Sequence, residues 1–382
     1  MEYRLLGRTG LSVSAIALGC EGFVGKSAEE VTKDFDFAEK AGVNFFDCYT
    51  SNPETRSCIG QALKGRRDKF IIQGHLCSVW EDGQYLRSRD ARKTEAAFED
   101  LLKRMGTSWV DVGMIHYIDA AEDFHEVFGG EIIKLALRLK KEGRVKHVGI
   151  SSHNPEVAAM AVKTGLVDVL MFSINPCYDM QPAGEDVEQL WADEAYAHEL
   201  HNMDRERESL YELCERLGVG IDVMKAYGGG DLLSAENSPF GRAFTAVQCL
   251  EYALTRPGVA AVMAGCRTRE EIQAALDWCG ATDAEKDYAS VMAGMERFSW
   301  QGHCMYCGHC APCPMGIDVA SVNKYLSLTR EGEELPETVR EHYRLLPHHA
   351  SECAECGSCM GRCPFGVDVI GHMKSAARRF GM

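Results

Sequence analysis

Excess positive charge is what this sequence most plainly lacks: 41 lysines and arginines face 57 aspartates and glutamates, a formal net charge of −16. Such a surface repels phosphate backbones and anionic lipid, which argues against a nucleic-acid or membrane partner. Also missing is any apolar run near the ~20 residues needed to span a bilayer. The opening "MEYRLLGRTGLSVS" has no basic-then-apolar leader pattern, so the expected compartment is the cytoplasm. What the 382 residues do have is an ordinary globular balance, 46% hydrophobic and 26% charged, in a length that suits one large domain and a small one.

Short apolar runs alternate with amphipathic stretches through the first 280 residues. The strand candidates are 16–20, 43–47, 70–74, 110–116, 145–151, 167–173, 219–225 and 259–265. Helical patterns such as "KTEAAFEDLLKRMG" separate them, several closing on Gly. Near-continuous apolar strands alternating with helices predict a parallel sheet covered by helices. Eight units in this length predict a (β/α)8 TIM barrel. The first residues read as a hairpin turning at Gly7 and Gly10. The long acidic connection 179–206 follows the sixth strand and reads as a lid or substrate wall, or else as a solvated insertion. Composition then changes near residue 297, which separates a barrel (1–296) from a second domain (297–382).

The 17 cysteines divide sharply. Nine are scattered before residue 280 without metal-ligand spacing and read as small buried hydrophobes. Eight lie in two runs, "CMYCGHCAPCP" and "CAECGSCMGRCP". The second run has the two-cluster ferredoxin spacing, and the first has one residue fewer before its last Cys. In such pairs the fourth thiolate reaches the other cube. The expected ligand sets are Cys304, Cys307, Cys310 and Cys363 for one 4Fe–4S cluster, and Cys353, Cys356, Cys359 and Cys313 for the other. Zinc is the competing reading, but it explains neither the third and fourth Cys nor the Pro after each run. Helical patterns between the runs predict a small, mostly helical two-cluster ferredoxin-like domain.

"LGRTGLSVSAIALGC", "AGVNFFD", "KEGRVKHVGISSHNPE" and "MKAYGGGDLL" together resemble the aldo/keto reductase family. The two cysteine runs resemble the ferredoxin extension of one branch of that family. The resemblance implies an oxidoreductase with a catalytic Asp, Tyr, Lys and His. Asp47 and His116 match the first and last of these positions. Asn52 stands where the Tyr is expected, and His75 where the Lys is expected. An amide has no useful proton to give near neutral pH, whereas His75 or His116 does. Tyr49, two residues past Asp47, is a further candidate acid. Asp47, His75 and His116 come from the ends of three consecutive strands and are expected to converge. They then form an acid–base cluster, a two-His-one-carboxylate metal site, or hydrogen-bonded residues of a retained cavity.

The family resemblance also implies NADP(H) or NAD(H). Ser151, Ser152, Asn175, Lys225 and the glycines around Gly229 match its nicotinamide side. Its phosphate-gripping residues are eroded: Gly265 and Cys266 replace a basic-Ser pair, and Glu271 and Ala275 replace an Arg and an Asn. Arg267 and Arg269 remain to meet a phosphate at the helix N-terminus. Hydride carries two electrons and a 4Fe–4S cluster one, and no flavin motif is visible to join them. The implied partners are a small-molecule substrate and a redox protein such as a ferredoxin or flavoprotein. Three functions stay open: an iron–sulfur oxidoreductase acting on a small polar carbonyl or alcohol, a non-redox lyase or isomerase using the His residues, or an electron-transfer subunit with an inactive barrel.

Overall fold

The computed structural model describes residues 1–184, 190, 200–293, 298–299, 302–329 and 334–382. Eight parallel strands close into a barrel: β1 (Ile16–Gly19), β2 (Phe45–Cys48), β3 (Ile71–Leu76), β4 (Val110–Ile115), β5 (Val145–Ser152), β6 (Val169–Ser173), β7 (Gly220–Met224) and β8 (Val259–Gly265). All eight predicted strands are present. They were legible because each is buried on both faces, by the barrel interior and by the helix layer, and so reads as an apolar run. The lumen is packed by Ala17, Phe45, Val112, Met114, Val169, Met171, Ala261 and Met263. It is a solid core with its chemistry at the strand ends.

The helices carry complementary stripes. Asp90 caps the helix Ala91–Met105 by accepting from the backbone N–H of Arg92 and Lys93, and Gly106 ends it at φ 65°. Phe98, Leu101, Leu102 and Met105 recur at helical spacing and are buried against the sheet. Each such side chain contributes about 1.5–3 kcal/mol on burial, and Phe98→Ala would cost about 3–5 kcal/mol.

The antiparallel hairpin Tyr3–Leu5 with Ser12–Ser14 puts Leu6 and Val13 against the lumen cluster. A Cβ on Gly7 would lie 2.3 Å from the backbone nitrogen of Gly220, at a φ of +53°. Only glycine lets this turn seat so closely. A second hairpin, Ser78–Glu81 with Gln84–Arg87, rises from the end of β3. Asp82 and Gly83 turn it, both at positive φ, as two-residue hairpin loops require.

The C-terminal part is built twice over. After each cysteine run comes Pro-x-Gly-(Ile/Val)-Asp-Val, with Asp318 and Asp368 capping the helices Val319–Ser327 and Val369–Phe380. Tyr306 and Glu355 hold matching positive φ angles of 55° and 52°, and Gly308 and Gly357 follow at 78° and 73°. The two helices pack together, and Tyr343 stacks on Phe380 at 3.8 Å. This unit lies on the barrel flank: Tyr288 donates to the Met305 carbonyl, and His309 lies 3.2 Å from Asp287. The boundary predicted near 297 and half of the 179–206 connection fall outside the described residues. Among the described residues, no helix is long and apolar enough to cross a membrane.

Candidate functional site

The ends of β2, β3 and β4 bring Asp47, His75 and His116 into one hydrogen-bonded row. His75 Nε2 lies 2.9 Å from Asp47 Oδ1, and His75 Nδ1 lies 2.7 Å from His116 Nδ1. All three are buried. Their donor atoms face one another, and among the described residues no group of His, Cys, Asp and Glu is gathered to hold a single metal ion. The row's positions follow from register: Asp47 pairs with Gln73 and His75 with Met114, so alternate residues of β3 point inward together.

Electrostatics separate the members. Burial, then His75, then the Arg89 guanidinium hold the His116 imidazole well below its usual range, so it is neutral at pH 7. Arg89 also donates to the His116 carbonyl and forks onto Asp123, which fixes the strand end. Tyr49 stacks flat on His116, with ring centroids 5.6 Å apart and an interplanar angle of 1°. Burial and the Glu21 carboxylate push its phenol up, making it a weaker acid than a free tyrosine. Tyr85, delivered by the second hairpin, closes edge-on over His116, and burial pushes its phenol up to about 12.

Asn52 sits outside this row. Its side chain accepts from the backbone N–H and hydroxyl of Thr55 and caps the helix Pro53–Leu63. The position expected to hold a tyrosine is thus a helix cap with Pro at its first turn.

Two further residues belong to the row and escaped the sequence reading. Gln73 Nε2 donates to Asp47 at 3.0 Å and to Asp222 on β7 at 3.4 Å, across the lumen. Burial, then Asp47, push the Asp222 carboxyl well up, toward its protonated form. A polar residue in the middle of an apolar strand run, "FIIQG" and "VGIDVMK", was the available signal.

On the cofactor side, Ser151 is buried with its hydroxyl unpartnered among the described residues. Asn175 is committed: its amide donates to the Lys225 carbonyl and accepts from the N–H groups of Cys177 and Tyr178. Lys225 and Gly228–Gly230 all hold positive φ. After β8, Glu271 accepts from the backbone N–H of Arg267 at 2.5 Å and of Thr268 at 3.3 Å, in a capping box with Thr268. A carboxylate therefore sits on the helix N-terminus where a phosphate would bind. Arg269 turns away to Asp34 at 3.4 Å, and Arg267 is exposed. The phosphate end of a nicotinamide nucleotide does not fit this arrangement.

The cysteine runs form two cradles. Cys304, Cys307, Cys310 and Cys363 line one, and Cys313, Cys353, Cys356 and Cys359 line the other. Each takes three thiols from one run and the last Cys of the other. Arg362 ties the runs together by donating to the carbonyls of Cys310 and Pro312. None of these cysteines forms a disulfide. Four thiols around an open space fit a larger cluster.

Residues 15–244 match the aldo/keto reductase family, so both cysteine runs lie beyond the matched region. An uncharacterised oxidoreductase of Bacillus subtilis, YqkF, is 26% identical over 294 residues, covering 72% of this chain and 91% of its own. The L-galactose dehydrogenase of Arabidopsis thaliana is 27% identical over 45% of this chain and 56% of its own. Among solved structures, the holo form of aldo-keto reductase AKR11C1 from Bacillus halodurans superimposes with a TM-score of 0.57. It is 23% identical and covers 75% of this chain and 94% of its own.

Proposed function

The chain belongs to the aldo/keto reductase family and is an oxidoreductase, and we propose that it interconverts a small polar carbonyl and its alcohol with electrons carried through two 4Fe–4S clusters. The row Asp47–His75–His116 carries this reading, because it supplies an acid where the usual tyrosine and lysine are absent. In the proposed arrangement His75 is the imidazolium. It donates from Nε2 to Asp47 and from Nδ1 to His116, so the His75–Asp47 pair stands in for a lysine–aspartate pair. His116, neutral, presents Nε2–H to the substrate oxygen. As that proton leaves, His116 Nδ1 takes the proton of His75 Nδ1, and Asp47 keeps the neutral ring oriented. Two electrons without hydride also require a second proton, at the carbonyl carbon, which the same pair delivers once His75 has been reprotonated from solvent. Tyr49 and Tyr85 pack against the pair.

Cys304, Cys307, Cys310 and Cys363 would hold one cluster; Cys313, Cys353, Cys356 and Cys359 would hold the other. Bound there, the clusters supply electrons one at a time, and two together match the two-electron change at a carbonyl. The second cradle includes the exposed Cys356, which suits entry from a redox protein such as a ferredoxin or flavoprotein. This reading gives no step to a nicotinamide nucleotide. Protein purified without oxygen should contain about eight iron atoms and as much acid-labile sulfide, four per cube. Zinc in their place would retire the reading.

A further inference from the structure

Arg256 is among the largest fully buried side chains, at 0% exposure, and no ion pair to it is found among the described residues. It follows the helix Ala246–Leu254 on the outer flank of the barrel. Nε donates to the Tyr252 carbonyl at 3.2 Å, and Nη2 donates to Thr255, Tyr288 and the Met305 carbonyl. Nη1 has no hydrogen-bond partner among the described residues. The guanidinium lies over the rings of Tyr252 and Tyr306, 4.4 and 5.3 Å from their centroids. These contacts hold the group in place without neutralising it.

The carboxylates whose field reaches it are themselves tied up or disfavoured as anions. Asp179 is bound by two phenols, Tyr211 at 2.5 Å and Tyr252 at 2.7 Å. Burial pushes both Asp179 and Glu208 up, toward their neutral forms. A buried charge without a counter-ion costs several kcal/mol, so a missing anion is the economical explanation. The place where one would sit is adjacent. Met305 lies between Cys304 and Cys307, the first two thiols of the first cradle, and the field of Arg256 reaches both. The second cradle differs: the cation whose field reaches it, Arg362 at Cys356, is exposed rather than buried, as are Met315 and Cys356 in its lining.

We propose that Arg256 is the built-in counter-charge of the first cluster, setting it at a higher potential than the second so that electrons entering at the exposed cluster collect on the buried one. This rests on the cluster reading above. A fixed cation favours the more negative, reduced state, so removing it must lower the potential. One buried unit charge acting through a protein-like dielectric shifts a one-electron equilibrium by about tenfold, which is ~59 mV.

The test is a redox titration of the full-length, iron-loaded protein followed by electron paramagnetic resonance. Arg256→Met should lower the potential of one cluster by about tenfold in its oxidised-to-reduced ratio and leave the other in place. Arg256→Lys, which keeps the charge, should restore most of the shift. Iron-loaded Arg256→Met with both potentials unchanged overturns the inference while leaving the clusters standing; protein without iron removes the reading beneath it. Should Arg256→Met fail to fold, the wild type and Cys356→Ser decide. The cluster perturbed by Cys356→Ser must be the lower-potential one, and finding it the higher overturns the proposal.

Discussion

Glu271 gives the sharpest quantitative handle on how this barrel departs from its relatives. Its carboxylate covers the N–H groups of Arg267 and Thr268 at the start of the helix Arg269–Leu276. A phosphate placed there would meet a like charge at roughly 5 Å, which costs about 1–3 kcal/mol at an effective dielectric of 20–80. It would also lose the two donors, whose charge-assisted hydrogen bonds are worth about 1.5–3 kcal/mol each in favourable cases. Glu271→Ala removes the repulsion and frees the amides, at about 1 kcal/mol of lost helix capping. Relief of the repulsion alone, about 2 kcal/mol in the middle of that range, corresponds to roughly 30-fold tighter binding. Calorimetric titration with NADPH and NADH in parallel reads it. NADPH should tighten about 30-fold and NADH far less, since only the former carries the extra phosphate. An unchanged NADPH-to-NADH ratio in Glu271→Ala, or wild-type protein already strongly preferring NADPH, would refute the reasoning.

Other perturbations test the row and its supports. His116 is held neutral by burial, so its folded pKa lies below the unfolded value near 6.5; stability is present above that value and is lost as pH falls below it. Urea midpoints should therefore fall from pH 7.5 to pH 5.5, with a shallower fall in His116→Asn. Asp222 has the opposite sign: its raised folded pKa means stability is lost as pH rises above the unfolded value near 3.9. Asp222→Asn should unfold at a higher temperature than wild type at pH 7.5 and match it or fall below it near pH 4. Asn52→Ala should cost about 1 kcal/mol of stability through the lost helix cap and leave turnover nearly unchanged, since its side chain is spent on Thr55; a 100-fold loss of activity would place it in the chemistry instead.

The barrel was legible because its strands are doubly buried, and the convergence of Asp47, His75 and His116 follows from their places at consecutive strand ends. Their contact geometry was not, because the 2.7 Å approach of two imidazoles depends on ring orientation. Tyr85 went unread with its hairpin, although Asp82-Gly83 between apolar-polar alternations is a strong turn signal. Gln73 and Asp222 were hidden inside runs scored as apolar, where a single polar residue is the anomaly that counts. Asn52 was read as a lost catalytic residue; followed by Pro53, it also carries the local signature of a helix start. In the sequence Glu271 is only the replacement of a phosphate-gripping Arg, and the fold reveals that its carboxylate already occupies the amides. The cysteine spacing predicted which thiols share each cradle, but not the buried guanidinium beside one of them, which depends on a helix end packing from the barrel.

In the proposed reaction, cluster-held electrons and the histidine pair together reduce a carbonyl. The direct measurement is anaerobic rapid mixing of reduced, nucleotide-free protein with a panel of small hydroxy-aldehydes and ketones, following the cluster absorbance. At least one carbonyl should reoxidise the protein, with one alcohol formed per two electrons, and His116→Asn should slow this by about 100-fold or more. Reduced protein inert to every carbonyl, alongside steady turnover supported by NADPH, would contradict it.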